Sequence, residues 1–138
     1  MTIVFNPYIN FKDNTRAAME FYKSIFGGTL NLSTFKDGGM PHDPSEDEKI
    51  MHADFEGDNG VHFMASDTPN SMPYTEGANM GLSVSGDDEE TLKGYWEKLS
   101  EGGKVTMPLD KAPWGDMFGM LTDKFGINWM VNIAGQKA

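Results

Sequence analysis

The sequence predicts an α+β protein built from two copies of one βαβββ module. Each copy contains a polar residue suited to cap a helix, followed seven residues later by an aromatic pair. These are Asn14 with Phe21-Tyr22, and Asp88 with Tyr95-Trp96. Both helical stretches end at two glycines, and each follows one strand-like run and precedes three more. A unit that recurs in this way predicts a duplicated architecture.

The first half of the chain is predicted to form a strand, a helix and three strands. Its strand segments are 3–11, 29–35, 50–55 and 61–65. Pro7 marks an edge strand or a bulge, because proline has no N–H to donate to a sheet. Asp13 or Asn14 can accept free N–H groups of the first helical turn, and Gly27-Gly28 ends the helix. Residues 37–48 combine turn formers with acids and are expected to form a mobile loop.

The second half repeats this order. Its strand segments are 79–85, 105–107, 117–122 and 127–133, and its helix begins at Asp88. Residues 108–116 form a loop that carries Trp114. We therefore expect a single domain over 1–138, with a first module at 1–67, a connector at 68–77 and a second module at 78–138. Two curved sheets are expected to enclose a cleft, where a ligand would bind.

The turn at Gly57-Asp58-Asn59-Gly60 decides which side chains share a sheet face, since a one-residue shift in register reverses every side chain. A three-residue loop with Gly60 as a left-handed bulge places five side chains on one face: His52, Asp54, His62, Met64 and Ser66. A two-residue Asn59-Gly60 turn would instead separate the two histidines. We favour the first register, because Asp and Asn suit a type I turn at these positions.

Composition excludes several classes of function. The net charge is −10 over 138 residues, so the clustered Lys and Arg of a nucleic-acid or anionic-membrane surface are not expected. The absence of cysteine excludes disulfides, thiolate nucleophiles and cysteine-based metal sites. No apolar run approaches the ~20 residues of a membrane span, and the N-terminus lacks a signal-peptide pattern. A cytoplasmic location is the expectation.

Four segments resemble one family. They are Asn6–Phe11, Ala18–Tyr22 with Phe26-Gly27-Gly28, Met51–Asp54, and Trp114-Gly115-Asp116 with Thr122–Met130. Their order and spacing resemble the vicinal oxygen chelate superfamily, which includes glyoxalase I, bleomycin-resistance proteins and extradiol dioxygenases, and in particular its PhnB-like branch. The resemblance implies an incomplete barrel of paired modules around a small-molecule cavity. It also implies a homodimer, in which modules are often exchanged between subunits.

The resemblance further indicates where metal ligands would stand. In metal-dependent relatives they lie on the first and last strands of each module and are mostly His, Glu or Gln. The matching positions here are Pro7 or Tyr8, then Met64, Asn79 and Met130. Proline and thioethers do not suit a hard divalent ion. We therefore expect neither the usual superfamily metal nor another cofactor.

The residues leave two classes of function open. In the first, the protein binds a small hydrophobic or aromatic molecule in the cleft, in a pocket of seven residues: Tyr8, His52, His62, Met64, Asn79, Trp114 and Met130. In the second, a lyase, isomerase or dioxygenase uses a relocated metal site with His52 or His62, which are also the candidate acids or bases. A weaker alternative is the 3-demethylubiquinone methyltransferase activity often assigned to this branch. No glycine-rich cofactor loop between a strand and a helix supports it.

Overall fold

Each half of the chain forms one four-stranded sheet with one long helix packed on it. The computed structural model describes residues 3, 5–39, 42–77 and 79–135. They belong to two compact units, Met1–Thr75 and Glu76–Ala138. Both sheets are open rather than closed into barrels, and the predicted α+β class with duplicated βαβββ modules is confirmed.

The first unit follows the order β1, α1, β2, α2, β3, β4. Its elements are β1 (Tyr8–Phe11), α1 (Thr15–Phe26), β2 (Thr29–Thr34), the short α2 (Phe35–Gly38), β3 (Ile50–Glu56) and β4 (His62–Asp67). The sheet order is β1-β4-β3-β2, with β1 parallel to β4 and the other pairs antiparallel. The helix α1 packs on one face of this sheet.

The second unit repeats the plan without a short helix. Its elements are β5 (Leu82–Gly86), α3 (Glu89–Ser100), β6 (Lys104–Lys111), β7 (Met117–Thr122) and β8 (Asn128–Ile133). The sheet order is β5-β8-β7-β6, again with one parallel pair, β5 with β8. None of the helices in the described part of the chain is long and apolar enough to cross a membrane.

Aromatic packing joins α1 to its sheet. Tyr22 is fully buried and contacts Phe63 edge to face, at 5.5 Å between ring centroids. Phe63 in turn lies 5.3 Å from Phe55 on the neighbouring strand. Each such side chain contributes on the order of 2 kcal/mol by leaving water.

The predicted apolar stripe of Ala17/Ala18, Phe21 and Ile25 is only partly correct, because Ala18 and Ile25 are buried while Ala17 is exposed and Phe21 is half-buried. Met19, Tyr22 and Phe26 complete the buried face of α1.

The start of α1 depends on β4 rather than on its own cap. The side chain of Asn14 makes no capping hydrogen bond. Instead the buried carboxylate of Asp67 accepts the N–H of Thr15 at 3.0 Å and that of Ile50 at 2.8 Å. In the second unit Asp88 does cap α3, accepting the N–H of Thr91 at 3.1 Å. The predicted cap is thus present in only one copy.

Three predicted strand boundaries are wrong by three residues or more. The first strand spans Tyr8–Phe11 rather than 3–11, with residues 1, 2 and 4 outside the described part. The sixth extends to Lys111 rather than ending at 107, because β6 is an edge strand whose register shifts accommodate Pro108. The fifth begins at Leu82, so Asn79 precedes it and is exposed.

The segment predicted as a mobile loop at 37–48 contains local structure. Residues 37 and 38 complete α2, and Pro44–Glu46 form a single 3₁₀ turn. Glu46 is 2% exposed, which is unusual for a glutamate in a connecting segment. Hydrogen bonds from Lys49 and from the backbone N–H of Asn70 satisfy its carboxylate and explain the burial. Met40 and Pro41 lie outside the described residues.

Candidate functional site

The face of the first sheet that is turned away from α1 is largely polar; we call it the distal face. Strand alternation places eleven side chains on it: Tyr8, Asn10, Thr29, Asn31, Ser33, His52, Asp54, Glu56, His62, Met64 and Ser66. Register arranges them in rows across the strands. Tyr8 is opposite Met64, and Met64 is opposite Asp54. Glu56 is opposite His62 in the next row.

The β3–β4 hairpin has the register that we predicted from the turn sequence. Glu56 pairs with His62, and Phe55 pairs with Phe63, so both histidines lie on the distal face. The three-residue loop is also confirmed, with the N–H of Gly57 bonded to the carbonyl of Val61 at 2.7 Å. One detail differs, since Asn59 adopts a positive φ of 61° in addition to Gly60 at 80°. Asparagine tolerates this left-handed conformation better than most residues.

A cavity of about 360 Å³ lies within the first unit, against the distal face. Tyr8 and Asn10 of β1 and Ser66 of β4 form its floor. Its other walls come from the start of α2, from β3, and from the end of β4 with the segment that follows it. The further lining residues are Phe35, Met51, Asp67, Thr68, Pro69, Met72, Pro73, Tyr74 and Thr75. The lining is mainly apolar with a few polar groups, which is typical of small-molecule sites.

Of the seven predicted pocket residues, only Tyr8 lines this cavity. His52 lies next to it, with its ring centroid 6.0 Å from that of Tyr8. Met64 and His62 share the distal face but are not among the lining residues. Of the four predicted pocket residues in the first unit, the cavity therefore includes Tyr8 and lies beside His52.

The lining residues that sequence reasoning missed fall into two groups. Asn10 and Ser66 lie two residues after Tyr8 and Met64 on the same face of their strands, and the predicted hairpin register already placed Ser66 on that face. Strand periodicity could therefore have identified both as pocket residues. Met72 and Tyr74 belong to the connector, whose side chains are placed by tertiary contacts. For these no local pattern in the sequence gave a signal.

The segment around Glu46 supports one wall of the cavity. The Glu46 carboxylate accepts the backbone N–H of Asn70 at 2.9 Å, and this hydrogen bond holds the pKa of Glu46 below its usual value. Lys49 lies 3.2 Å from the same oxygen and 2.7 Å from Asp13 Oδ1. The hydrogen bond with Asp13 raises the pKa of Lys49. The carboxylate therefore fixes the connector beside the cavity.

A second group of side chains on the distal face has the chemistry of metal ligands. His62 Nε2 lies 2.8 Å from Asp54 Oδ1. One ligand atom from each of Asp54, Glu56 and His62 lies within 4.8 Å of the others. Sequence reasoning placed His62 and Asp54 together but missed Glu56, because the predicted strand ended one residue too early.

The second unit contains three predicted pocket residues, which lie in three different segments: Asn79 before β5, Trp114 between β6 and β7, and Met130 on β8. Met130 lies on β8 opposite Ser83 and Met120, on the face turned away from α3. Trp114 is 60% exposed, contacts Phe118 edge to face and donates a long hydrogen bond to Asn132 Oδ1 at 3.4 Å. Asn79 lies in the segment before β5.

The internal repeat identifies the positions at which metal ligands were expected. Tyr8 pairs with Met64 in the first unit, and Ser83 pairs with Met130 in the second, each across the parallel strand pair. Ser83 therefore replaces Asn79 as the equivalent position. Pro7 supplies only its carbonyl, which accepts the N–H of Met64 at 3.0 Å. A phenol, a hydroxyl and two thioethers do not fit a hard divalent ion.

The duplicated βαβββ plan defines a class of proteins built from two equivalent modules. A family model of the Glyoxalase/Bleomycin resistance protein/Dioxygenase superfamily matches residues 5–131, and the chain belongs to this superfamily. The resemblance inferred from the sequence is thereby confirmed.

Three relatives are similar over nearly the whole chain. Protein YjdN from Escherichia coli (strain K12) is 30% identical over 146 residues, covering 96% of each protein. The crystal structure of protein PA1353 from Pseudomonas aeruginosa is 34% identical, with a TM-score of 0.84 over 98% of this chain and 100% of that one. The PhnB protein from Bacillus cereus is 29% identical, with a TM-score of 0.77 over 96% of this chain and 100% of that one.

Proposed function

We propose that this superfamily member binds a small, neutral aromatic or hydrophobic molecule, with the cavity of the first unit as its site. The supporting observation is a cavity of about 360 Å³ whose walls include Tyr8, Phe35 and Tyr74. This volume is near the lower end of ligand pockets, which matches a molecule of one or two rings. Aromatic walls bind such a ring through large apolar contact areas.

The polar groups of the cavity favour a neutral ligand. Asn10 and Ser66 offer donors and acceptors on its floor. Both carboxylate oxygens of Asp67 are already engaged by backbone N–H groups. None of the lining residues is a lysine or arginine, so a carboxylate or phosphate would have no cationic partner there. A phenol or an indole, with one polar group on an apolar ring, fits this lining.

We propose further that binding proceeds without the usual superfamily metal. The donor chemistry of Tyr8, Met64, Ser83 and Met130 supports this. The cytoplasmic location, the homodimer and the binding cleft between the modules stay predictions from the sequence. Light scattering during size-exclusion chromatography tests the dimer, and a 15.3 kDa species would contradict it.

A thermal-shift and NMR screen with phenol, indole and 2-naphthol tests the ligand proposal. Binding to the native state raises stability, by about 2.7 kcal/mol at 100 times the dissociation constant, so the melting temperature rises by several degrees. Ser66→Phe fills the cavity and is expected to abolish the shift. Ser33→Phe is the matched control, because Ser33 shares the distal face but does not line the cavity.

Two results would refute the proposal. One is a folded protein that none of the three compounds stabilises or perturbs by NMR. The other is a shift that persists in Ser66→Phe, since binding would then occur elsewhere.

The Bacillus cereus relative has 3-demethylubiquinone-9 3-methyltransferase as a provisional name. No observation on this chain favours that activity. The connections that lead into the long helices, residues 12–14 and 87–88, contain no glycine in either described unit. A glycine-rich turn at this point is the usual cradle of a nucleotide-like cofactor. Isothermal titration with S-adenosylmethionine is expected to show no heat of binding.

A further inference from the structure

The β3–β4 hairpin brings together three side chains that the ligand cavity does not use. His62 is opposite Glu56, and Asp54 is two residues before Glu56 on the same face. These positions are set by the paired strands of a sheet, so the groups are held by backbone register. A site on regular strands is more precise than one on loops.

We propose that Asp54, Glu56 and His62 bind a divalent transition-metal cation, of which Zn²⁺ is the representative probe. One imidazole nitrogen and two carboxylate oxygens form a donor set that suits Zn²⁺ and Mn²⁺. The site uses none of the four positions at which the superfamily resemblance places ligands. It is independent of the proposed binding of an aromatic molecule.

The geometry needs little adjustment to hold an ion. The three ligand atoms lie within 4.8 Å of one another. In a tetrahedral zinc site with bonds of about 2.1 Å, two ligand atoms stand about 3.4 Å apart. Side-chain rotations that bring the most distant ligand atoms closer by up to about 1.4 Å therefore complete the site. Asp54 and His62 are 32% and 30% exposed, so water can occupy the remaining coordination positions.

The local charge also favours a cation. Among the ion pairs between described residues, the only partner of Asp54 is His62, and no lysine or arginine pairs with Glu56. The two carboxylates repel each other at this distance, in a chain with a net charge of −10. A dication at the centre of the three groups removes this repulsion.

An ordinary histidine–carboxylate pair is the alternative explanation, and the chain contains an internal control for it. His42 pairs with Asp47 in the segment before β3. Among the described residues, that pair does not belong to a group of three ligand atoms. If a His–Asp pair alone attracted zinc, both pairs would bind it.

Isothermal titration of the untagged, chelator-treated protein with ZnCl₂ tests the proposal, with MnCl₂ as a second probe. We expect one Zn²⁺ per chain, at least a tenfold loss of affinity in His62→Gln, and a change within twofold in His42→Gln. Glu56→Gln is expected to lose at least threefold, and its exposed position leaves folding intact.

NMR provides a readout that a structural role would not produce. Addition of Zn²⁺ should shift the imidazole resonances of His62 and leave those of His42 in place. Absence of zinc binding by the wild-type protein would overturn the proposal. Wild-type affinity in His62→Gln or in Glu56→Gln would overturn it as well, because an adventitious site elsewhere would then account for the heat.

Discussion

Glu46 and Asn70 are joined by a hydrogen bond between a buried carboxylate and a backbone N–H, with 2.9 Å between Oε2 and N. Asn70 lies in the segment after β4, between Pro69 and Met72, both of which line the cavity. The bond therefore connects the 3₁₀ turn at Pro44–Glu46 to a wall of the candidate ligand site. Because it stabilises the ionised form, it lowers the pKa of Glu46.

The stability of the protein should consequently depend on the charge of Glu46 in acid. A carboxyl group whose pKa is lower in the folded state contributes stability above its unfolded pKa, about 4.3 for glutamate. That contribution is lost as the pH falls through the folded value. We expect urea unfolding to show a smaller loss of stability between about pH 5 and pH 3 in Glu46→Gln than in the wild type.

Glu48→Gln is the matched control, since Glu48 is an exposed glutamate of the same segment. Its acid dependence should follow the wild type. Equal slopes in all three proteins would show that the hydrogen bond from Asn70 has no energetic consequence.

Asp67 should be a major determinant of stability in the first unit. Asp67→Ala removes the acceptor for the N–H groups of Thr15 and Ile50. A buried donor without a partner costs about 1–3 kcal/mol, so we expect the free energy of unfolding to fall by about 2–4 kcal/mol. Chemical denaturation measures this. Glu20→Ala, an exposed change on α1, should stay within about 0.5 kcal/mol, and a similarly small effect of Asp67→Ala would contradict the argument.

Local patterns in the sequence predicted those parts of the fold that local physics determines. The Gly57–Gly60 segment predicted the hairpin register, because turn residues have strong backbone preferences. Gly27 directly follows α1, and the predicted cap Asp88 directly precedes α3. By contrast, β6 extends past Pro108 because pairing with β7 and two register shifts stabilise it. Because that pairing depends on β7, the sequence of β6 alone does not indicate where the strand ends.

Among the candidate site residues, too, those on regular strands could be predicted from local sequence, whereas those placed by tertiary contacts could not. Tyr8 was predicted to line a pocket because it is an aromatic residue on the first strand, at a position where the family resemblance places a metal ligand. Tyr74 and Met72 line the cavity from a connector, and their position depends on contacts such as the one between Glu46 and Asn70. Glu56 was missed for a smaller reason, since the predicted strand ended at Phe55. An error of one residue at the end of a predicted strand is therefore enough to omit a residue from a predicted metal-ligand group.

Substitution of Trp129 should destabilise the protein much more than the same substitution of Trp114. Trp129 is 2% exposed, and its Nε1–H donates to Asp123 Oδ2 at 2.9 Å. Trp129→Phe should lower the free energy of unfolding by about 1–3 kcal/mol, because it removes that donor and shrinks a buried side chain. Trp114→Phe should change it by less than about 0.5 kcal/mol.

Fluorescence provides the accompanying measurement. Quenching by acrylamide should decrease strongly in Trp114→Phe, which removes a largely exposed indole, and increase in Trp129→Phe. Equal quenching in both variants would contradict the burial of Trp129.

A side chain at Gly28 should destabilise the protein in two ways, through the left-handed backbone conformation and through a steric clash with the end of β3. The two effects can be measured separately. It has φ +86°, and a Cβ there would lie 2.0 Å from the carbonyl oxygen of Glu56 and 2.6 Å from Gly57 Cα. Gly39 has a similar φ of +71° but nothing within 4 Å of its Cβ position. Both alanine variants carry the cost of a left-handed residue, about 1–2 kcal/mol. Only Gly28→Ala must also displace the end of β3.

We therefore expect Gly39→Ala to lose about 1 kcal/mol and Gly28→Ala to lose at least about 3 kcal/mol, measured by urea unfolding. The second module contains an equivalent contact, since a Cβ on Gly103 would lie 2.4 Å from the carbonyl oxygen of Thr122. Gly103→Ala should accordingly resemble Gly28→Ala rather than Gly39→Ala. Equal losses in Gly28→Ala and Gly39→Ala would show that backbone conformation alone requires the glycine, and that the close approach of helix end and strand is relieved at no cost.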